Sequence, residues 1–200
     1  TGSTGFGGGH VLAEARGRGL PVRAFWCNSF SAALASTKSV EWFSCDLARL
    51  PDNLSPMLEG IEAVVHCAGA TSADAGGADW EAYSRRINVD AVAKLFQSAA
   101  RAGVARWIQI RTMSAHPGRT SVYGRTKLEA DDFVRAASPP PAWTILRPSL
   151  IYGPGERGLC AKTLKMARKL PVFPVFGPAA RLRPVFVGDI ARATLDCLAS

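Results

Sequence analysis

Short apolar runs alternate with amphipathic ones along most of the chain, and this alternation narrows the fold more than any single residue can. PVRAFWC (21–27), SVEWFSCDL (39–47, with Asp46 near its end) and VARWIQI (104–110) read as strands. IEAVVHCAGA (61–70) is apolar almost throughout and ends in small residues, the pattern of a buried strand. PPPAWTILRP (139–148) reads as a loop leading into a strand that Pro148 ends. Between these runs lie helical patterns: from about His10 to Arg16, over 78–103 with Gly103 as its stop, and over 121–137. Strands separated by helices lead to an α/β fold, a doubly wound parallel sheet with helices on both faces. Ligands of such sheets sit at the carboxyl ends of the strands. Gly2–Gly8, Asp46, Cys67–Ala70, Ile110–Ser114, Pro148 and Ser149 all fall there.

Two motifs fit that edge. The opening TGSTGFGGG places Gly2, Gly5 and Gly8 at a G-x-x-G-x-x-G spacing ahead of the first helix. Glycines there allow a tight turn, let backbone N–H groups approach a pyrophosphate and let the helix pack close to the sheet. Such a loop normally follows a strand; none precedes it here, so a first strand is expected to be missing from this sequence. Further on, Tyr123 and Lys127 stand four apart within SVYGRTKLEADDFVRAA, one turn apart on one helix face. An ammonium beside a phenol favours the phenolate, so Lys127 is expected to lower Tyr123 from its reference of about 10. A tyrosine tuned that way can exchange a proton with a substrate hydroxyl or carbonyl.

Composition bounds the rest. Two hundred residues with 48% hydrophobic and 20% charged content suit a single globular domain with a small appendage. No apolar run reaches the ~18 residues of a membrane span. The five cysteines are scattered, without C-x-x-C or a Cys/His cluster, which argues against a disulfide framework or a zinc site and for a reducing cytoplasm. His66 and His116 lack partner ligands, and Trp80, Trp107 and Trp143 occupy packing positions. The net charge of +8 is dispersed, with no basic block and no aromatic-interleaved basic strand. A phosphorylated small molecule is therefore a more economical partner than nucleic acid.

After residue 150 the texture changes. YGPGERG (152–158) reads as a turn and LCAKTLKMARKLP (159–171) as a helix carrying Lys162, Lys165, Arg168 and Lys169. Residues 181–200 read as a strand followed by a helix capped by Asp189. The chain thus divides into a nucleotide-binding domain, 1–150, and the beginning of a smaller, incomplete substrate lobe, 151–200, with a returning strand and helix.

Taken in order, TGSTGFGG, CDL, VVHCAGAT, NVDA, a Ser/Thr after a strand, YGRTK, LRPSLIYGPG and PVFVGDIARA resemble the extended or atypical short-chain dehydrogenase/reductase superfamily, the NAD-dependent epimerase/dehydratase group. The later motifs are most similar to the atypical branch that includes the NAD(P)H-binding accessory subunit of respiratory complex I. The resemblance covers almost the whole chain. It implies a Rossmann-type sheet and an NAD or NADP cofactor held by Gly2, Gly5 and Gly8, with Thr4 and Phe6 in the same loop. It also implies that Asn28 lies in the cofactor site, that Asp46 and Leu47 meet the adenine, and that Cys67, Ala68 and Gly69 line the cofactor cleft. Asn88 would support the active-site strand, and Pro148 and Ser149 would flank the nicotinamide. Tyr123 would be the acid/base and Lys127 would hold the nicotinamide ribose. Helices 78–103 and 121–137 would form the four-helix seam of a homodimer.

Departures from the pattern shape the functional expectation. Arg111 stands in IRTMSA where the group usually has a serine, and Met113 falls where the key hydroxyl often lies, so Thr112, Ser114 or neither completes the site. Cys27, Asn28 and Ser29 supply no carboxylate to repel a 2′-phosphate, so the expected cofactor leans to NADP(H). Leu182, flanked by Arg181 and Arg183, occupies the place where sugar-nucleotide enzymes of the group carry an arginine. The expected function is an NAD(P)-dependent oxidoreductase, epimerase or dehydratase acting on a secondary alcohol or ketone, a nucleotide-sugar among the candidates. The alternative is an NAD(P)H-binding subunit or redox sensor without chemistry.

Overall fold

A computed structural model describes residues 1–27, 39–71, 79–113, 118, 121–138, 141–156, 158–169 and 183–199. Strand β1 (Val22–Trp26) pairs in parallel with β2 (Val40–Ser44), Val22 opposite Val40 and Trp26 opposite Ser44. Strands β3 (Ala63–His66), β4 (Arg106–Ile110) and β5 (Ala142–Leu146) form a second parallel set in that order. The two sets are separated by a cleft of about 540 Å³ lined by Leu12, Val22, Ala24, Val64 and Val65. Thr1 enters this cleft beside β3: its nitrogen donates to Val65 O at 2.8 Å, and Cys67 N donates to its carbonyl at 3.2 Å. On the other side, Ser3 Oγ donates to Phe25 O at 2.7 Å. A short third pair joins β6 (Ile151–Tyr152) to β7 (Val185–Phe186).

The period of two along each strand divides the core into two layers. Val65, Val22, Cys67 and Ile110 meet helix α1 (Phe6–Gly17) on one face, together with the last helix of the chain, Val187–Asp196, through Val11, Ala15, Ala191 and Leu195. Arg18, just past α1, also pairs with Asp196 at 2.7 Å. Val64, Phe25 and Trp107 face the other way. They pack against α2 (Ser55–Leu58), the helix Ala91–Arg101 and the helix Val122–Ala136 through Leu58, Val92, Leu95, Phe96, Ala130 and Val134. Trp107 is the centre of that layer, 0% exposed, with the Phe96 ring edge-on at 5.1 Å. Ala99 and Ala130 are small where the helices press on it.

Four sequence expectations change. The first helix begins at Phe6, not near His10, because Gly7, Gly8 and Gly9 themselves form its first turn behind the extended Gly5. The 78–103 stretch is α3 (Trp80–Arg85), a π turn (Arg86–Asp90) and α4 (Ala91–Arg101). The extra residue in the π turn lets Ile87, Asn88 and Val89 all be buried, which a regular turn could not do for three consecutive positions. Asp189 is not a cap: helix Val187–Asp196 follows Phe186 directly, and Asp189 pairs with Arg192 within it. Trp143 is not a core residue either. It lies on β5, at the edge of the described sheet, and is 38% exposed.

The remaining labels are α5 (Val122–Ala136), α6 (Leu159–Ala167) and α7 (Val187–Asp196). Among the described residues no helix is long and apolar enough to cross a membrane.

His66 ends β3 fully buried, stacked on Trp107 at 5.6 Å, with Nδ1 2.9 Å from Thr1 Oγ1. Burial, followed by the nearby Arg111 charge, holds its pKa well below the usual 6.5. The folded chain therefore keeps His66 neutral while the unfolded chain protonates it, so stability is present above pH 6.5 and lost as pH falls below it. Denaturant titrations should show stability declining by up to about 1.4 kcal/mol per pH unit from 6.5 towards 5. A His66→Gln variant should flatten that decline.

Candidate active site

The glycine turn is built by steric demand. Gly2 has φ 73°, and a Cβ there would lie 2.7 Å from Ala68 N and 2.8 Å from its Cα. A Cβ on Gly8 would overlap the Gly2 carbonyl. The turn is closed by Gly5 N donating to Gly2 O at 3.0 Å. Among the described residues no side chain caps α1, so its first N–H groups remain at the strand ends, a geometry suited to an anion. Two segments that the sequence suggested separately, Gly2–Gly8 and Cys67–Gly69, thus lie against each other. Thr4 is exposed on the turn, and Phe6 packs edge-on against His10 at 5.5 Å.

Asp46 and Leu47 stand apart from this contact, beyond β2. The Asp46 carboxylate accepts from Ala48 N at 2.9 Å and caps the short turn Leu47–Arg49, while Leu47 packs on the core. At the neighbouring end of β1, burial and then the Asp46 carboxylate push the Cys27 thiol up. Asn28 lies outside the described residues.

The second half of the site rests on α5. Ser121 Oγ accepts from Gly124 N at 3.2 Å and starts the helix. Tyr123, Lys127 and Asp131 then follow at intervals of four and share one stripe. Lys127 is buried; its Nζ donates to Ala68 O at 3.5 Å and lies 5.7 Å from the Tyr123 ring centre. A Cβ on Gly69 would overlap this ammonium nitrogen, so Gly69 is the residue that admits Lys127 to the cleft. Asn88, aimed inward by the π turn, donates through Nδ2 to Ala70 O (3.1 Å), Ser84 Oγ (3.1 Å) and Thr126 Oγ1 (3.2 Å). It joins the exit of β3 to α3 and α5.

The electrostatics reverse the expectation for the pair. Burial pushes the Tyr123 phenol above its ordinary value of 10, opposed by Arg111 and by a hydrogen bond from Thr112. Burial, then the Arg111 charge, pushes Lys127 well below the ordinary lysine value. Lys127 Nζ is the cation in contact with the ring, and the Arg111 charge adds to the opposition to the rise. Thr112 is the hydroxyl that reaches Tyr123; Ser114 lies outside the described residues. Pro148 is buried, and its carbonyl accepts from Met113 N at 3.1 Å, which brings Pro148 and Ser149 beside Thr112–Met113.

A polar cluster behind Tyr123 escaped the sequence reading. Trp107, Gln109 and Arg111 point from alternate positions of β4 and its exit to the α5 side. Trp107 Nε1 donates to Gln109 Oε1 at 2.8 Å, and Gln109 Nε2 donates to Asp131 Oδ1 at 3.1 Å. Arg111 Nε donates to the same oxygen at 2.9 Å, and Arg147 Nε and Nη2 donate to Asp131 Oδ2 at 3.0 and 2.5 Å. Two sequence signals could have found it: the third member of the 123/127/131 stripe, and polar residues alternating along an otherwise apolar strand.

A parallel α/β sheet with a glycine turn at one strand end and a tyrosine–lysine stripe at another defines a dinucleotide-binding protein of the short-chain dehydrogenase/reductase type. The sequence matches the NAD dependent epimerase/dehydratase family over residues 1–200, and the chain belongs to that family. It is 32% identical over 200 residues to a ceramide reductase of Caulobacter vibrioides, covering 96% of this chain and 57% of that protein. The chain thus spans little more than half of this relative. Among solved structures, MoeE5 in complex with UDP-glucuronic acid and NAD is 27% identical, with TM-score 0.79 over 100% of this chain and 70% of its own. The dTDP-glucose 4,6-dehydratase DesIV of Streptomyces venezuelae, with NAD bound, shares the fold at 21% identity and TM-score 0.81, over 100% of this chain and 70% of its own. The epimerase/dehydratase family is shown, whereas nothing sets this chain within the complex I branch.

Adjacent glycines separate the turn's steric role from mere flexibility. Gly7 has open space where a Cβ would go, whereas Gly8 has the Gly2 carbonyl. Gly7→Ala should be tolerated and raise stability by about 0.5–1 kcal/mol. Gly8→Ala should weaken NADH or NADPH binding at least about tenfold, about 1.4 kcal/mol, in a fluorescence titration.

Proposed function

We propose that this chain carries the cofactor site and the acid/base centre of an NAD(P)-dependent enzyme acting on a secondary alcohol or ketone. The observation that supports this most is the convergence on Ala68: the glycine turn touches its backbone from one side and Lys127 reaches its carbonyl from the other. Gly2, Gly5, Gly8 and the first N–H groups of α1 would hold the pyrophosphate, and Lys127, beside Gly69, the nicotinamide ribose. When bound, the nicotinamide supplies or accepts the hydride. Tyr123 moves the proton at the substrate oxygen, and Thr112 orients the phenol by donating to it. Cys67 and Pro148–Ser149 wall the site from the β3 and β5 ends. Cys27, Asn28 and Ser29, which follow β1 in the sequence, bring no carboxylate of their own, and this favours NADP(H) over NAD.

For the substrate, the relative named a ceramide reductase supports reduction of a ketone on a long-chain lipid. Met113, 49% exposed directly after Thr112, and the exposed Tyr152 and Phe186 give the adjoining surface an apolar character that suits it. The nucleotide-sugar reading draws on MoeE5. A strand leading into Thr1 would fill the cleft between β1 and β3 and unite the two parallel sets. Stronger hydrogen-exchange protection of 22–26 in a chain extended ahead of Thr1 would bear this out. The helices of 78–103 and 121–137, whose outer faces are laced by Arg85–Glu129 and Arg125–Glu81, would form the seam of a homodimer, which sedimentation equilibrium tests directly by mass.

The decisive experiment offers the full-length protein NADH and NADPH with a panel of long-chain keto lipids and UDP-sugars. Tyr123→Phe should lower turnover by about 10²–10⁴-fold and leave cofactor affinity unchanged. A protein that binds NADPH but turns over no substrate, with or without Tyr123, would instead be the non-catalytic subunit or sensor.

A further inference from the structure

The positive charge of the chain is concentrated in one stretch. Between Glu156 and Asp189 the sequence has seven arginines and lysines and no carboxylate, against a net charge of +8 for all 200 residues. Four of the seven, Lys162, Lys165, Arg168 and Lys169, lie on α6 or just past it, and all four are exposed. Among the described residues none of the four pairs with a carboxylate. Exposed arginines elsewhere do: Arg18, Arg85, Arg125, Arg135 and Arg192 each hold one.

The helix sorts its side chains by spacing. At the helical period, Lys162, Lys165, Arg168 and Lys169 fall on one arc, and Leu159, Cys160, Thr163, Leu164, Met166 and Ala167 on the opposite one. The apolar arc is not turned into the core: Leu159, Leu164 and Met166 are 56%, 53% and 49% exposed, and α6 buries no residue. With Tyr152 and Phe186, whose rings meet at 5.7 Å, they make five of the nine exposed large hydrophobic side chains of the described residues, so the exposure is clustered. The helix is also anchored. The Glu156 carboxylate accepts from Gly158 N, and from Ala161 N at 2.6 Å, which ties the first turn of α6 to the loop leaving β6.

We propose that α6 is a surface helix that docks on an anionic lipid bilayer. A solvated face accounts for the lysines but leaves three large apolar side chains in water. The bilayer interface takes both arcs at once: Leu159, Leu164 and Met166 enter the boundary of the acyl chains, and the four cations meet anionic headgroups. Nucleic acid would use the cations and leave the apolar arc in water. The contact is peripheral and spans nothing. It goes beyond the enzyme reading and does not rest on it; where the substrate is a long-chain lipid ketone, the bilayer is also its source.

Co-sedimentation of the full-length protein with lipid vesicles tests this. Vesicles of phosphatidylcholine with about one third phosphatidylglycerol should bind it, and vesicles of phosphatidylcholine alone should bind it far less. Binding should weaken as salt rises from about 0.05 to about 0.5 M. Lys165→Gln combined with Lys169→Gln should weaken it about tenfold or more, and Leu164→Gln about tenfold. All three positions are exposed, so the variants should fold as the parent does, which circular dichroism checks. Two outcomes overturn the proposal. One is no binding to the anionic vesicles; protection of 159–169 from hydrogen exchange without lipid would then show the face covered by protein, and sedimentation mass would tell a second copy from another part of the same chain. The other is binding that Leu164→Gln leaves unchanged, the behaviour of a charged surface made for nucleic acid. Vesicle binding without turnover of any keto lipid sinks the lipid-substrate reading alone and leaves the docking surface standing.

Discussion

Asp131 is a fully buried carboxylate held on both oxygens by three charged or polar donor residues from two parts of the chain. Burying such a charge is costly unless it is paired and hydrogen-bonded, and breaking one partner leaves the rest uncompensated. Gln109 and Arg111 bring the exit of β4, Arg147 brings the exit of β5, and Asp131 itself fixes the register of α5. Because Tyr123 and Lys127 stand two turns and one turn earlier on the same stripe, that register also sets where they meet the strand ends. The α5 side chains of the candidate site are therefore held in register by an ion cluster on their own stripe.

The glycine turn depends on a different constraint, the absence of side chains. Gly2, Gly8 and Gly69 each occupy a place where a Cβ would collide with backbone or with Lys127. The turn, the exit of β3 and the lysine can approach one another only because all three are glycine. Asn88 completes the join, and the π turn that carries it exchanges regular helix geometry for an inward-pointing amide. Helix regularity is given up at the point where three elements must be tied together, a common use of such turns.

The strands were legible because their signal is local. Apolar runs and period-two alternation located β1 to β5 to within a few residues, and the order of motifs pointed to the family. The start of α1 was not legible: three consecutive glycines oppose helix formation, and only packing against the sheet and α7 makes them helical. The π turn left no mark, since its sequence continues an amphipathic pattern. Gly2, Gly8, Cys67–Gly69, Thr112, Tyr123 and Lys127 were all named from sequence, and the fold brings them to neighbouring strand ends. Asp131 was not named, because its partners lie 16 to 22 residues away and no local pattern reports them.

The tyrosine–lysine spacing was a property of the chain alone, as were the glycine turn and the alternation that makes a parallel sheet, since each depends on neighbours within a few residues. The charge balance at the tyrosine was not. Whether a lysine four residues on acts as a cation depends on how much water remains around it, and burial is settled only when α5 closes on the sheet. The same closure seals Arg111 against Asp131, its side chain 0% exposed. Spacing can be read along a sequence; desolvation is a property of the assembled interior.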